Sequence, residues 1–360
     1  MTTRNLEALF KPDTIALICS GNDAEVNIAR NLMSGGFKGP ILPVDPDRWA
    51  LEGALAYRDI ASLPLSPTLA IITRPLREAP TLIRQLGERG ARAALLISDA
   101  RAIPMKERGD LFQAILDAAQ PYLLRVLGPS SQGISIPSSH LNISLNRQPL
   151  IPGEIAFITE SGTIGQTVLD MDPDSGFGFS HLIHLGDGLD VDLADVLDYL
   201  AGDYRTRAIL LYLERIGDAR KFMSAARRAA RMKPVIVLKP RRHPDEDPGD
   251  AVYAAAFRRA GLLRVEDSHE LMHMVEVLKA AKRVNNDRLA ILSNSSSLSL
   301  LATDTLYRFG GRWRNFPKRL SRVWKRWWSQ APSPIRSIWA IKPMPTPTGR
   351  PWICCSAIRE

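Results

Sequence analysis

Short apolar runs alternate with amphipathic stretches from Thr14 to about residue 127. The predicted strands are residues 15–19, 41–44, 69–73, 93–98 and 123–127. The predicted helices, with apolar residues at three-to-four spacing, are residues 26–33, 77–89 and 105–119. Strands and helices that alternate at this interval predict a parallel sheet with right-handed crossovers, which is the α/β class.

The same alternation restarts after Pro149, Pro152 and Gly153, which indicates a linker. The second set of predicted strands is 155–159, 179–184, 208–213 and 235–239. Its predicted helices are 165–171, 192–201, 219–231, 250–260 and 268–281. A third unit begins with a strand at 289–293 and a helix at 298–307, and the pattern stops at Gly311.

Residues 312–360 differ in composition from the rest of the chain. They hold six of the seven tryptophans, and eleven lysines or arginines against one acid, Glu360. The formal net charge of +9 therefore belongs to this tail, and residues 1–311 are close to neutral. A near-neutral body without a basic helix or an aromatic platform argues against nucleic-acid binding.

Cysteine spacing and hydropathy limit the class of protein further. Cys19 lies in an apolar strand, and Cys354 and Cys355 are adjacent, so no spacing suggests a disulfide framework or a metal site. No apolar run reaches the roughly 20 residues of a membrane span, and residues 1–9 lack the pattern of an export signal. We predict a reduced, cytoplasmic protein with no metal and no membrane partner.

Small and polar residues follow the strands of the first domain. Ser20 and Gly21 form a turn into a helix, where backbone N–H groups can face a phosphate. The G-x-G-x-x-G spacing is incomplete, with Asn22-Asp23-Ala24-Glu25 where a second glycine would help, so a plain turn is the alternative. The loops after the next strands add candidates at the same edge: Val44, Asp45, Thr73, Arg74 and Pro75. For Arg74 the alternatives are a phosphate partner and a solvated loop residue.

Two further turns place hydroxyl groups and glycines after apolar strands. The first, 128–133, contains Ser130, and the second carries Ser161, Gly162 and Thr163 into a helix. These residues would offer donors to an anion, with a simple helix cap as the alternative. Glu214 is a carboxylate at the carboxyl end of another strand, where such folds keep their chemistry. The histidines form no Ser-His-Asp or H-E-x-x-H arrangement, which leaves a hydrolase or a zinc enzyme without support.

In this order, the segments resemble NDP-forming acyl-CoA synthetases over about residues 5–310. The residues that carry the resemblance to their CoA-binding domain are Leu9-Phe10, Gly35-Gly36-Phe37-Lys38-Gly39, Pro43-Val44 and Gly128-Pro129. Those that resemble their succinyl-CoA-ligase-like, flavodoxin-type domain are Phe157-Ile158-Thr159-Glu160-Ser161-Gly162, Leu185-Gly186-Asp187 and Leu211-Tyr212-Leu213-Glu214. The resemblance implies a Rossmann-type CoA-binding domain at 1–145, a flavodoxin-like domain at 150–285 and a stub of a second flavodoxin-like domain at 286–311.

Within that superfamily, Asp187-Gly188-Leu189-Asp190 and residues 218–227 look closest to the synthetase-like region of Pat-type bacterial protein lysine acetyltransferases. Those proteins add a C-terminal GNAT domain that transfers the acetyl group. The resemblance implies that this chain binds CoA or acetyl-CoA. Because neither a GNAT nor an ATP-grasp domain follows, we predict no complete catalytic cycle, and we expect self-association or a missing C-terminal or beta-like part as partner.

Two alternatives remain open. The chain is the CoA-ligase, alpha-like subunit of an ADP-forming acyl-CoA synthetase, or it is an inactive remnant with an incomplete last sheet. Active synthetases carry a phosphorylated histidine in a Ser-His-Thr-Gly-Ala segment, and Glu214 matches the carboxylate that supports it. Here His243 lies in a segment, 241–249, that lacks those small residues, so we expect a solvated loop histidine there.

The tail, 312–360, is expected to be disordered. We hypothesise a frameshift near Arg312, because permitted codons for its residues give family-like sequence when they are read in another frame. The nucleotide sequence across this point tests the hypothesis. The alternative is a cationic aromatic arm for nucleic acid or an anionic membrane, made of Trp324, Lys325, Arg326, Trp327 and Trp328.

Overall fold

The computed structural model describes most of the chain. The described residues are 4–146, 150–170, 178–240, 249–280, 288–289, 291–292, 296–313 and 354–355. Residues 1–280 form one compact unit, and residues 281–360 form a second.

The first half of the larger unit is built around a parallel sheet. Its elements are α1 (Glu7–Phe10), β1 (Ile15–Ile18), α2 (Asp23–Ser34), β2 (Ile41–Val44), β3 (Ala50–Leu51), β4 (Ala54–Leu55), β5 (Leu69–Ile72), α3 (Ala79–Glu88), β6 (Ala93–Leu96), α4 (Met105–Ala119) and β7 (Arg125–Leu127). Five strands pair in the order β2-β1-β5-β6-β7, and all four pairings are parallel. The predicted strands and the α/β class are confirmed for this half.

The second half of the larger unit carries a sheet of seven strands. Its elements are β8 (Ile134–Ile136), β9 (Leu141–Asn142), β10 (Pro152–Thr159), α5 (Gly162–Asp170), β11 (Phe179–His184), α6 (Leu193–Gly202), β12 (Ala208–Tyr212), α7 (Ala219–Met232), β13 (Val235–Leu238), α8 (Asp250–Ala260), β14 (Leu263–Val265) and α9 (Ser268–Ala280). The order is β14-β13-β12-β10-β11-β8-β9, and only the pairings of β8 are antiparallel.

Two features of this half differ from the sequence predictions. The first domain was predicted to extend to residue 145, but β8 and β9 pair with the second sheet, so the first sheet ends at Leu127. Strands this short carry too little periodicity to be recognised, and they are strands only because β8 pairs with β11 and β9 pairs with β8. Helix α5 also begins at Gly162 rather than at residue 165, which brings the predicted site residues into its first turn.

The two sheets share one strand order. Counted along each parallel sheet, the order is 2-1-3-4-5, with the first strand next to both the second and the third. In sheets of this kind the connections leave the first strand in opposite directions, and a crevice opens at the carboxyl ends beside it. The larger unit therefore has two such switch points, one after β1 and one after β10.

Apolar strands that are buried on both faces hold the larger unit together, as is typical of parallel sheets. One core contains Leu17 and Ile71 of the first sheet together with Ile158 and Leu211 of the second. Because one face of each sheet contributes to the same core, the two halves pack together.

Charged groups cross between the two halves. Arg125, at the start of β7, lies 2.8 Å from Asp190 and 3.2 Å from Asp195 of the second half. Within the second half, Lys221 on α7 lies 2.7 Å from the same Asp195. Main-chain bonds run alongside, from the Val191 N–H to the Val126 carbonyl and from the Leu189 N–H to the carbonyl of residue 128, both at 3.0 Å. The loops at the carboxyl ends of both sheets are thereby fixed against each other.

In the smaller unit, the described elements are β15 (Arg288–Leu289), β16 (Ile291–Leu292), α10 (Ser296–Arg308), β17 (Arg312–Trp313) and β18 (Cys354–Cys355). The strand and helix of the predicted stub are both present. β17 pairs with β15 and β18 pairs with β16, so the prediction that regular structure ends at residue 311 is wrong for these two pairs. Strand edges pair with any extended segment within reach, which composition does not reveal. The predicted cationic aromatic arm lies outside the described residues.

Candidate functional site

A cavity of about 1030 Å³ lies at the carboxyl edge of the first sheet. The predicted site residues that line it are Ser20, Gly21, Asp45, Thr73, Arg74 and Pro75. Val44 was predicted with them, but it is the last residue of β2, its side chain is buried, and it does not line the cavity. Side chains alternate between the two faces of a strand, so the residue before a loop can point into the core instead.

A buried carboxylate stands in the turn after β1. Glu25 is fully buried, and its two oxygens accept hydrogen bonds from the backbone N–H groups of Ser20 at 2.8 Å and Gly21 at 2.7 Å. The Thr73 hydroxyl lies 3.0 Å from the same carboxylate, and Nη1 of Arg48 lies 3.3 Å from it. The two amides that were predicted to face a phosphate therefore donate to a side chain of the chain itself.

The start of α2 is also occupied by a side chain. The Asn22 amide oxygen accepts hydrogen bonds from the N–H groups of Ala24 at 3.0 Å and Glu25 at 3.3 Å. Asn22 followed three residues later by Glu25 is the spacing of a capping box, in which the glutamate turns back toward the N-terminal amides. Here it reaches beyond the cap to Ser20 and Gly21. That spacing is a sequence signal for the occupied turn.

Arg74 and Asp45 also have partners within the chain. Arg74 Nε lies 2.7 Å from the Glu78 carboxylate, and its Nη1 donates to the Cys19 carbonyl at 3.4 Å. Asp45 Oδ1 accepts the N–H groups of Asp47 and Arg48. These interactions hold the loop residues in place at the edge of the cavity.

Cys19, Glu25 and Asp45 form a group whose ligand-type atoms lie within 4.8 Å of one another in the described part of the chain. Burial, followed by the nearby carboxylates of Glu25 and Asp45, raises the pKa of the Cys19 thiol to about 12. A metal ion needs a thiolate and free carboxylate lone pairs, whereas this thiol stays protonated and Glu25 already accepts hydrogen bonds on both oxygens. The donor set does not suit a metal ion.

A second cavity, of about 800 Å³, lies at the carboxyl edge of the second sheet. Ser130, Ser161, Gly162, Thr163 and Glu214, all predicted as site residues, line it. The turn of residues 99–101 separates the two cavities, because Asp99 lines the first and Arg101 the second. The predicted residues thus fall into two clusters, and Ser130 belongs to the second.

The N-terminus of α5 opens into the second cavity. The Ser161 hydroxyl accepts the Ile164 N–H at 3.4 Å, which is a helix cap. Gly162 lies against the Gln132 side chain, because a Cβ atom there would lie 1.9 Å from its amide nitrogen and would require that exposed side chain to move. The Ser161 hydroxyl and the exposed Thr163 lie at this helix start, and charged residues such as Glu160 and Arg215 line the same cavity.

Glu160 is a half-buried acid in this cavity that the sequence analysis did not predict as a site residue. Its carboxylate accepts the backbone N–H groups of Glu214 at 2.7 Å and Arg215 at 3.2 Å. Burial raises the pKa of Glu160, against the lowering effect of these two hydrogen bonds. Glu214 contributes its main chain to this contact, and its side chain is exposed. No local signal separates Glu160 from other acids at strand ends.

His184 and Asp187 complete the wall of the second cavity. Burial lowers the pKa of His184 to about 4, although Asp187 raises it. The neutral ring accepts the Gln132 N–H on Nδ1 at 2.9 Å. Asp187 accepts the Ser130 hydroxyl at 2.7 Å, and Arg215 lies 3.6 Å from its other oxygen. Residues from four loops thus converge here.

His243, the other predicted catalytic candidate, lies outside the described residues. The strand that leads to it, β13, ends at Leu238 beside Tyr212 of β12. The chain therefore leaves β13 at the same sheet edge as Glu214.

Comparison with known families identifies both halves. A model described as "CoA binding domain" matches residues 19–137, and one described as "Succinyl-CoA ligase like flavodoxin domain" matches residues 152–278. The alpha subunit of acetate–CoA ligase [ADP-forming] I from Pyrococcus furiosus is 29% identical over 83% of this chain and 69% of its own length. This chain is homologous to the alpha subunits of ADP-forming acetate–CoA ligases.

Further relatives agree with this homology. Acetate–CoA ligase [ADP-forming] I from Archaeoglobus fulgidus is 31% identical over 86% of this chain, which spans only 47% of that relative. The apo dinucleotide-forming acetyl-coenzyme A synthetase 1 of Ca. Korarchaeum cryptofilum superposes with a TM-score of 0.81 at 28% identity, covering 89% of this chain and 72% of that one. These matches confirm the predicted fold, with its CoA-binding domain followed by a flavodoxin-like domain.

The same matches bear on the finer predictions. They give no support to a Pat-type acetyltransferase, and they favour the alternative, an alpha-like synthetase subunit. None of the described helices is both long and apolar enough to span a membrane.

Proposed function

We propose that this chain is the CoA-ligase, alpha-like part of an ADP-forming acyl-CoA synthetase, with its nucleotide site on a partner. The relatives that are ADP-forming ligases support the reaction class, and the CoA-binding domain supports the substrate class. The observation that carries the proposal is the second cavity, where the start of α5 lies beside the half-buried carboxyl of Glu160.

The cavity offers the groups that such a reaction requires. In the direction of thioester cleavage, a phosphate oxygen attacks the acyl carbon, a C–O bond forms, the C–S bond breaks, and CoA takes up a proton to leave as a thiol. Backbone N–H groups at the start of α5, with the Thr163 hydroxyl, suit the phosphate. Glu160, whose pKa burial raises, is a carboxyl that can hold the proton in transit.

Calorimetry on the full chain tests the binding part of the proposal. CoA and acetyl-CoA should each release or absorb heat on titration and raise the unfolding temperature, because a ligand that binds the folded state stabilises it. A folded protein that gives neither a heat nor a thermal shift with either compound contradicts the proposal.

Thr163→Val tests the phosphate position. Removing this hydroxyl should weaken the binding of phosphate about tenfold, because one hydrogen bond to a charged group is lost. The phosphate dependence of thiol release from acetyl-CoA measures this affinity. Thr167→Val is the matched control, because Thr167 is exposed one turn along the same helix and bonds the Thr163 carbonyl. If the two changes have equal effects, phosphate does not bind at this turn.

A second candidate function is a CoA-binding region that regulates but does not catalyse, as the Pat-type interpretation implies. The segment around His243 favours it, because that segment lacks the small residues which a phosphorylated histidine of the family needs. Acetyl-CoA binding without phosphate-dependent thiol release would support this candidate. Radiolabelled phosphate that appears on the chain and is lost in His243→Ala would exclude it.

A further inference from the structure

The turn after β1 combines the features of a phosphate site with an anion that is already in it. In α/β domains, the first strand-to-helix turn binds phosphate through its free N–H groups. Here the Ser20 and Gly21 N–H groups, the Thr73 hydroxyl and the Arg48 guanidinium all converge on one carboxylate. That carboxylate is Glu25, and it is fully buried.

Charge and geometry both exclude a second anion. A phosphate at this turn would need the same N–H groups that Glu25 uses at 2.7 and 2.8 Å, and it would meet a like charge in contact. Glu25 cannot simply swing into water, because none of its surface is exposed and its helix position fixes it beneath the turn.

We propose that Glu25 is an internal anion that closes the first switch point to phosphate groups. An acyl-CoA that enters the first cavity therefore keeps its diphosphate outside the turn of residues 20–21. This inference rests on the proposed function only for the identity of the ligand. The exclusion itself concerns any compound that carries a phosphate.

Glu25→Ala tests the proposal with inorganic pyrophosphate as the probe. The change frees the Ser20 and Gly21 N–H groups, whereas the Thr73 hydroxyl keeps the Ile18 carbonyl at 2.9 Å and Arg48 keeps Asp45 at 3.6 Å. With two amides free and the Glu25 charge gone, the variant should bind pyrophosphate about tenfold or more tightly than the natural chain in calorimetry. Thr73→Val added to Glu25→Ala should remove part of that gain. A folded Glu25→Ala variant with no higher affinity than the natural chain would overturn the proposal.

Asp23→Ala is the matched control. It removes the same charge from the first turn of α2, but Asp23 is exposed and its loss leaves the donors on Glu25. Its effect on pyrophosphate affinity should be small. A gain equal to that of Glu25→Ala would mean that net charge, and not the vacated turn, attracts the anion, and the proposal would fall.

The natural chain gives a measurement that needs no variant. Saturating pyrophosphate should leave the amide resonances of Ser20 and Gly21 unmoved in a two-dimensional NMR spectrum, because both N–H groups already have an anionic acceptor. Saturable shifts at these two amides would contradict the proposal, whatever the variants do.

These results separate the inference from the proposed function. If the natural chain does not bind CoA but the Glu25→Ala variant gains affinity for pyrophosphate, the proposed function is wrong and the inference about Glu25 holds. If the natural chain binds acetyl-CoA and releases thiol but the variant gains no affinity for pyrophosphate, the proposed function holds and the inference about Glu25 is wrong.

Discussion

The two switch points of this protein have the same strand order but differ in the groups that occupy their strand-to-helix turns. After β1, the donors of the turn converge on the buried carboxylate of Glu25. After β10, the start of α5 is capped by the neutral Ser161 hydroxyl, and the nearby Glu160 carboxylate accepts the backbone N–H groups of Glu214 and Arg215 instead. The comparison teaches that a shared topology provides a place for a ligand, whereas one side chain decides whether an anion can use it.

The largest effect, on the free energy of unfolding, is expected at Gly186, where two loops that line the second cavity pack closely. Gly186 has φ +66, and a Cβ atom there would lie 2.0 Å from the carbonyl oxygen of Pro129. Gly186→Ala should therefore lower the free energy of unfolding by about 3 kcal/mol, because both the dihedral angle and the neighbouring backbone must shift. Urea unfolding measures this loss.

Gly188→Ala is the control for that change. Gly188 has φ +63, but its Cβ would meet nothing closer than 3.8 Å. Only the left-handed backbone remains unfavourable, at about 1 kcal/mol. If the two variants lose equal stability, close packing of the loops does not shape the second site.

An intermediate effect is expected from pH at the same site. Burial lowers the pKa of His184 to about 4, below its ordinary 6.5, so the unfolded chain binds a proton more readily. The stability that neutral His184 contributes is complete above pH 6.5 and is lost as the pH falls toward 4. Between pH 7.5 and pH 5 the loss should be about 2 kcal/mol, and His184→Gln should remove it.

Urea unfolding at the two pH values measures the difference between natural and variant chains. Glu160 acts with the opposite sign, because a raised pKa makes stability fall as the pH rises, but it is present in both chains. His273→Gln, an exposed position on α9, should leave the pH dependence unchanged. A His184→Gln chain that loses as much stability as the natural one at pH 5 would mean that the ring is not held neutral.

The smallest effect is expected at the first switch point. Glu25→Ala should lower the free energy of unfolding by about 1.5 kcal/mol, because it leaves the Ser20 and Gly21 amides without their acceptor, while Arg48 keeps Asp45 and water can enter the cavity. Asp23→Ala should cost about 0.5 kcal/mol through the helix dipole alone. Pyrophosphate should restore stability to Glu25→Ala only. If pyrophosphate does not stabilise Glu25→Ala, the first turn is not an anion site that Glu25 occupies.

Hydrophobic periodicity was sufficient for most of the fold and for part of the sites. The long apolar runs predicted β1, β2, β5 and β6 closely, since a strand buried on both faces has few alternatives. The short β8 and β9 were missed, because β8 pairs with β11 from a distant part of the chain and β9 pairs only with β8. Most of the predicted site residues line a cavity, but the sequence did not predict which of their hydrogen-bond donors already have partners within the chain.

By itself, the sequence determined two α/β domains in a row, the polar turns at their strand ends and the resemblance to CoA ligases, because these depend on local periodicity and short motifs. Only the tertiary structure decided that Glu25 fills one turn, that Gln132 lies against the other and that Glu160 and His184 line the same cavity. Those facts depend on contacts between residues far apart in the chain. Burial and hydrogen-bond partners, which set charge and access at a site, exist only once the sheets have packed.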